Sequence, residues 1–328
     1  VTGDTPAPPD GPLVSELSED GLLARIFPLL PVGTDTELAP GDDAAVVAAP
    51  DGRFVVTTDV LVEDRHFRRA WSSGEDVGRR AAVQNLADVA AMGARPTSLV
   101  VALVIPGDLP VSWVEGLARG LAAECAPLGV GVVGGDLSGG PVVVVAVTAH
   151  GDLGGRAPVL RSGARPGDVV AHAGVAGWSA AGLALLHAGR GELDLELVGA
   201  HLRPVAPLGA GPAAAVAGAT AMLDVSDGML RDAGRLARAS GVGIELDTAA
   251  FAGDLERLRA VADAVGVPAA RWVLDGGEDH GLLATFPAGA VLPEPFRVVG
   301  RVVASGEGLV TVDGVAAPAR SGWDHFAG

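Results

Sequence analysis

Five short segments set carboxylates beside glycine, serine or threonine: Gly41-Asp42-Asp43, Thr57-Thr58-Asp59, Gly134-Gly135-Asp136, Asp224-Val225-Ser226-Asp227-Gly228 and Gly276-Gly277-Glu278-Asp279. Any one alone reads as a turn, because Asp-Gly pairs are common turn formers. Most of them stand directly before or after an apolar strand-like run, and strand ends in α/β proteins are where ligands gather. Asp88 is an acid outside these segments. It lies within the largely apolar run Ala81 to Met92, although aspartate is a poor interior helix residue. Gln84, Asn85 and Asp88 are three and four positions apart and share one helix face. Either that face is wet or it lines a polar cavity.

Carboxylates drawn together repel and shift one another's pKa unless cations lie between them. The chain has a single cysteine, Cys125, and seven histidines, so oxygen is the available ligand. That favours hard ions: Mg²⁺, Mn²⁺ or Ca²⁺. No EF-hand loop pattern is present. Mg²⁺ usually reaches proteins through a few carboxylates plus phosphate oxygens, which points to a nucleotide or another polyphosphate. Glycine beside Asp136 and Asp227 would let main-chain amides approach those phosphates. Ser226-Asp227-Gly228 also leads into a helix, whose start is electropositive and suits an anion.

Composition bounds the alternatives. The 328 residues suggest two domains, and 40 acidic against 23 basic residues give a net charge of −17. Such a chain has no basic surface in bulk with which to neutralise nucleic-acid phosphates. One cysteine rules out internal disulfides and thiolate-rich metal sites. Every basic residue other than histidine is arginine. Without lysine there is no Walker-type phosphate loop and no Schiff-base chemistry. No apolar run approaches the roughly 18 residues of a membrane span. Residues 1–12 read as a loose, disordered tail without a signal-peptide pattern. A soluble, cytoplasmic protein is expected.

The elements that must position these acids are mixed. Helices are predicted over Ser15–Leu30, Gly74–Met92, from Ser112 to near Gly129, and near Ser179–Ala188, Met229–Ala239 and Leu255–Val265. Ser72-Ser73-Gly74-Glu75 and Ser112 with Glu115 read as capping boxes. Ala44–Ala49 and Phe54–Thr57, split by Asp51-Gly52, read as a hairpin. Further strands are expected at Ser98–Ile105, Val130–Val133, Val142–Thr148, Asp168–Ala171, Ala221–Asp224, Gly243–Asp247, Gly281–Phe286 and Arg297–Val303. Strands alternating with helices indicate an α/β chain of the α+β type with mixed sheets flanked by helices. The turn-rich segment from Gly151 to Gly167 divides a domain over 13–150 from one over 151–328.

These segments resemble the thiamine-monophosphate kinases, members of the ATP-binding superfamily typified by aminoimidazole ribonucleotide synthetase. The matching stretches are Gly41–Val46, Thr57-Thr58-Asp59 through His66-Phe67, Asn85–Ala94, Gly134-Gly135-Asp136, Arg161–Asp168, Asp224–Gly228, Gly276–Asp279 and Gly322-Trp323-Asp324-His325-Phe326, in family order. The resemblance implies a two-domain fold like that of aminoimidazole ribonucleotide synthetase, and a homodimer in which amino-terminal sheets pair. It also implies phosphorylation of thiamine monophosphate to thiamine diphosphate by ATP. By matching position, Asp43, Thr57, Thr58, Asp59, Asp88, Asp136, Asp224 and Asp227 would surround several Mg²⁺ ions. Gly135, Asp136, Arg161 and Ser226 would hold ATP, and His66, Glu278 and Trp323 would contact the thiamine phosphate.

The chemistry agrees with the residue types. A phosphate monoester is largely ionised near neutral pH, since its second pKa is about 6, so the nucleophile needs no strong base. The task is to screen two anions and hold them in line, which metals and an arginine can do. Trp323 would be either a core plug or a ring stacked on the cationic heterocycle of the substrate. The sequence departs from the family pattern at His280-Gly281, where an aromatic residue and an acid often follow, and at Arg65. Rival readings are another enzyme of the superfamily, a non-catalytic nucleotide or cation binder, and a metal-dependent phosphohydrolase.

Overall fold

Valine-rich runs form the strands and alanine- and leucine-rich stretches the helices, as side-chain branching favours. The computed structural model describes residues 11–40, 44–304, 310–318 and 322. Described residues within Val1–Ala48, Thr58–Ala82 and Thr97–Ala149 form one unit, and those within Ala49–Thr57, Val83–Pro96 and His150–Gly328 the other.

The first half of the chain runs α1 (Glu19–Ile26), β1 (Thr36–Leu38), β2 (Val46–Val47), β3 (Val55–Val62), α2 (Gly74–Ala91), β4 (Arg95–Ile105), α3 (Val111–Cys125), β5 (Gly131–Gly139) and β6 (Val144–Asp152). Four of these strands form a sheet in the order β3-β6-β4-β5, with β4 and β5 parallel. Helices α2 and α3 meet backbone to backbone. A Cβ on Gly74 would lie 1.9 Å from the carbonyl oxygen of Trp113, and one on Gly120 2.2 Å from that of Glu75. Only glycine permits that approach, and it fixes the helix that carries Asp88.

The second half comprises β7 (Val169–Ala173), α4 (Trp178–His187), α5 (Leu195–Leu202), α6 (Ala210–Val216), β8 (Ala221–Val225), α7 (Met229–Ser240), β9 (Gly243–Leu246), α8 (Ala252–Val265), α9 (Ala269–Asp275), β10 (Gly281–Phe286), β11 (Arg297–Val303), β12 (Val310–Val312) and β13 (Val315–Ala316). Its mixed sheet has the order β13-β12-β9-β11-β7-β10-β8, with β12 and β9 parallel. Both faces of β10 are covered. Leu283 packs with Leu236, Ile244 and Phe251, whereas Leu282 and Phe286 pack with Met222 and Phe296. All six residues of β10 are therefore buried, which makes it a rigid support for the turn before it.

Several expectations are corrected. The helix over Ser15–Leu30 is shorter, because Ser18 caps α1 and Pro28 sits in a following 3₁₀ turn. The hairpin does not form: β2 pairs with β1, while β3 pairs with β6. The capping box of α2 uses Ser73 and Asp76 in place of Ser72 and Glu75. Helix α3 opens after Pro110 with no side-chain cap, and Glu115 binds Arg25 instead.

Candidate functional site

Antiparallel pairing of β8 with β10 sets Val225 opposite Gly281. That register brings Asp224–Gly228, which leaves β8, to the same sheet end as Gly276–His280, which enters β10. The two turns are bonded to each other. Glu278 N–H donates to Ser226 O at 2.8 Å and His280 N–H to Val225 O at 3.1 Å. Glycines allow the contact: a Cβ on Gly277 would stand 2.3 Å from Ser226 O, and one on Gly228 2.6 Å from Asp275 O. Glu278 and His280 adopt φ of 69° and 51°. Left-handed backbone at a non-glycine residue is strained and tends to mark functional sites.

Charge is concentrated here. Asp224 is buried, with His280 Nδ1 3.4 Å from its Oδ2, and His280 Nε2 is 3.7 Å from Glu278 Oε2. Burial opposes the charged imidazole, but the two carboxylates outweigh it and raise His280 to about 10. Asp232, in the first turn of α7, is pushed up to about 7 by burial and by the charge of Asp224, against the pull of Arg235. Arg235 forks between Asp227 at 2.5 Å and Asp232 at 2.7 Å. Asp232 Oδ2 also accepts the Asp227 N–H at 2.9 Å. The helix start expected to welcome an outside anion thus already hosts one from its own first turn. Asp279 is buried and accepts the N–H groups of Gly177 and Ser179 at the start of α4, at 2.6 and 2.8 Å. Burial pushes it up to about 7 in spite of those donors.

Sequence reasoning missed Asp232 and Arg235 and took His280 only as a departure. The available signal was an aspartate in the first helical turn after Ser-Asp-Gly, with an arginine three residues on.

Elsewhere the predicted residues fall as follows. Asp88 Oδ2 accepts the Thr57 hydroxyl at 2.7 Å. Gln84 and Asn85 are buried, so their face of α2 is not wet. Alternation along β3 puts Thr57 and Asp59 on one face and Thr58 on the other. The Thr58 hydroxyl donates to Val147 O at 2.9 Å. In the first unit Gly135 and Asp136 are exposed on β5. A Cβ on Gly135 would meet Val101 O at 1.9 Å. With Gly134 they wall an apolar cavity of about 150 Å³ bounded by α1, α3 and β4. His66 is half-buried in the turn after β3, and its Nδ1 accepts the Val62 N–H at 2.9 Å.

Arg161 is exposed, and its carbonyl accepts from Ser240 at the C-terminal end of α7. That is one helix length, about 16 Å, from the end that bears Asp227. The structure does not bring it to the acidic turns. Gly322 does reach them: a Cβ there would lie 2.3 Å from Asp227 O. Asp43 and Trp323 lie outside the described residues. Among the described residues no group of three or more His, Cys, Asp or Glu side chains is set to hold a metal ion.

Residues 41–153 match the family described as AIR synthase related protein, N-terminal domain. A protein of Mycobacterium tuberculosis named thiamine-monophosphate kinase is 47% identical over 326 residues, covering 99% of this chain and 97% of its own length. This chain belongs to the thiamine-monophosphate kinase family. Its Corynebacterium glutamicum relative of that name is 44% identical over 327 residues, covering 97% of this chain and 96% of its own. Among solved family structures, AaThiL complexed with AMPPCP and TMP is 35% identical with a TM-score of 0.77, over 97% of this chain and 100% of that one. The family's enzyme from Stenotrophomonas maltophilia is 32% identical with the same TM-score, over 91% and 96%.

Proposed function

We propose that this chain is a thiamine-monophosphate kinase that phosphorylates thiamine monophosphate with ATP, giving thiamine diphosphate and ADP, the last step in making that cofactor. The observation that carries this reading is 47% identity across essentially the whole chain. A neighbour at TM-score 0.77 binding AMPPCP, an ATP analogue, together with TMP supports it.

The residues fit Mg²⁺ of the kind that arrives with a polyphosphate. Their donors are hard oxygens, and a cation held by one or two carboxylates plus phosphate oxygens needs no preformed protein cage. Asp224, Asp227, Asp88, Thr57, Asp59 and Asp136 would hold several such ions, with Asp43; Thr58 would take part through its main chain. When bound, Mg²⁺ screens the repulsion between the two anions. Gly135, Asp136 and Ser226 would take the nucleotide phosphates, and the apolar cavity beside Gly135 would suit its base. For Arg161 the case is its match to the family motif alone.

Glu278 would face the cationic ring of the substrate, held at that spot by its bond to Ser226 O. His66 and Trp323 would complete the contact. The acceptor phosphate is already an anion, so the side chains orient it and need not remove a proton.

Test the reading by measuring ADP release with and without thiamine monophosphate, with Mg²⁺ present or chelated. ADP should form only with substrate and metal together. ADP independent of thiamine monophosphate would make the chain a hydrolase, and none at all a binding protein.

A cytoplasmic homodimer completes the proposal. No helix among the described residues is long and apolar enough to cross a membrane, and the net charge of −17 disfavours nucleic acid. The edge strand β3 exposes Val56 and Val60 on one face, with Phe54 beside it, an apolar row suited to a second copy. Val56→Glu with Val60→Glu should convert a dimer to a monomer in sedimentation velocity. An unchanged mass would move the interface elsewhere.

A further inference from the structure

We propose that His66 is locked as the neutral Nε2–H tautomer and meets the substrate as an uncharged hydrogen-bond donor, neither a cation nor a base. The inference rests on the proposed contact between His66 and thiamine monophosphate and adds the atom and the charge state with which that contact is made.

The geometry that requires it is local. His66 Nδ1 lies 2.9 Å from the main-chain nitrogen of Val62. A main-chain N–H can only donate, so Nδ1 must present its lone pair, and the single proton of the neutral ring goes to Nε2. The turn leaves the ring little freedom. His66 N–H returns to Val62 O at 2.9 Å and Asp64 N–H to Phe67 O at 2.8 Å, with Asp64 at φ 63°. Glu63, buried, accepts the Val143 N–H at 2.9 Å and pairs with Arg69. Phe67, the next residue, is buried.

Protonating Nδ1 would set one N–H against another and break the bond that orients the ring. The consequence is chemical selection. An Nε2–H pairs with an acceptor, such as a phosphate oxygen or a pyrimidine ring nitrogen, and cannot accept from an amino group. Being neutral, it does so without repelling the positive thiazolium of the same substrate.

Long-range ¹H–¹⁵N NMR on histidine-labelled full-length protein at neutral pH reads the tautomer, the His66 signals being assigned by their loss in the variants. A bare Nδ1 and a protonated Nε2 are expected. A protonated Nδ1, or two protonated nitrogens, overturns the proposal. Two substitutions then separate donor from scaffold. His66→Gln can place an amide N–H near the Nε2 position, whereas His66→Asn offers only a short acceptor to Val62. The KM for thiamine monophosphate should stay within about threefold in His66→Gln and rise about tenfold or more in His66→Asn, with the KM for ATP unchanged in both. The reverse order would mean that the ring only braces the turn, and an unaltered KM in both would remove His66 from the substrate; either result overturns the donor role. If wild-type protein shows no substrate-dependent ADP release, the functional reading fails and the donor role with it; the spectrum would still judge the tautomer.

Discussion

Asp227→Asn is expected to lower kcat about 10²- to 10³-fold, while the melting temperature moves by no more than about 3 °C. The separation follows from how Asp227 is held. Its Oδ2 faces Arg235 at 2.5 Å, but Arg235 keeps Asp232 at 2.7 Å when Asp227 is neutralised. No buried charge is stranded, so the large penalty for breaking a buried pair does not arise. The main-chain bond from Asp227 N–H to Asp232 survives the change as well. What disappears is one full negative charge at the turn where nucleotide and metal would meet. Circular dichroism and a steady-state assay on the same preparation check this. Turnover within about threefold of wild type would take Asp227 out of the site, whereas unfolding would show the ion pair to be structural.

What the sequence made legible was local. The acidic turns were found because glycine and acid cluster at the ends of apolar runs, and β8, β10 and α7 fell where branching and helical spacing put them. Partners distant along the chain were not legible. β3 pairs with β6, with Thr58 bonded to Val147 some ninety residues on, and nothing in a valine-rich run names its neighbour, so the nearer Ala44–Ala49 was taken instead. Helices α5, α6 and α9 are only 8, 7 and 7 residues long, too short for a period to stand out. His280 shows the same limit within the site. Its identity breaks the family pattern, yet its position between Asp224 and Glu278 exists only once the two turns dock. Arg161 shows the converse, a motif residue whose backbone the fold places at the far end of α7.

That docking gives the second large effect. Gly277→Ala should cut kcat/KM about a hundredfold and destabilise the chain by about 1–3 kcal/mol, through overpacking alone. The new methyl group would sit 2.3 Å from Ser226 O and 3.3 Å from the Asp227 carbonyl carbon, both of them main-chain atoms that cannot swing aside. Relief requires the turns to part. That loosens the 2.8 Å bond from Glu278 N–H to Ser226 O and shifts Glu278 away from Asp224, Ser226 and Asp227 together. Misplacement by about 1 Å is enough to cost two orders of magnitude in rate when catalysis depends on holding two anions in line. Gly253→Ala is the matched control. It lies in α8 with nothing within 4 Å of the added carbon, and helix propensity alone should leave it neutral or more stable by about 0.5–1 kcal/mol. Denaturant titration and steady-state kinetics on the pair decide the matter. Gly277→Ala with activity near wild type would mean that the acidic turns need not touch for phosphoryl transfer.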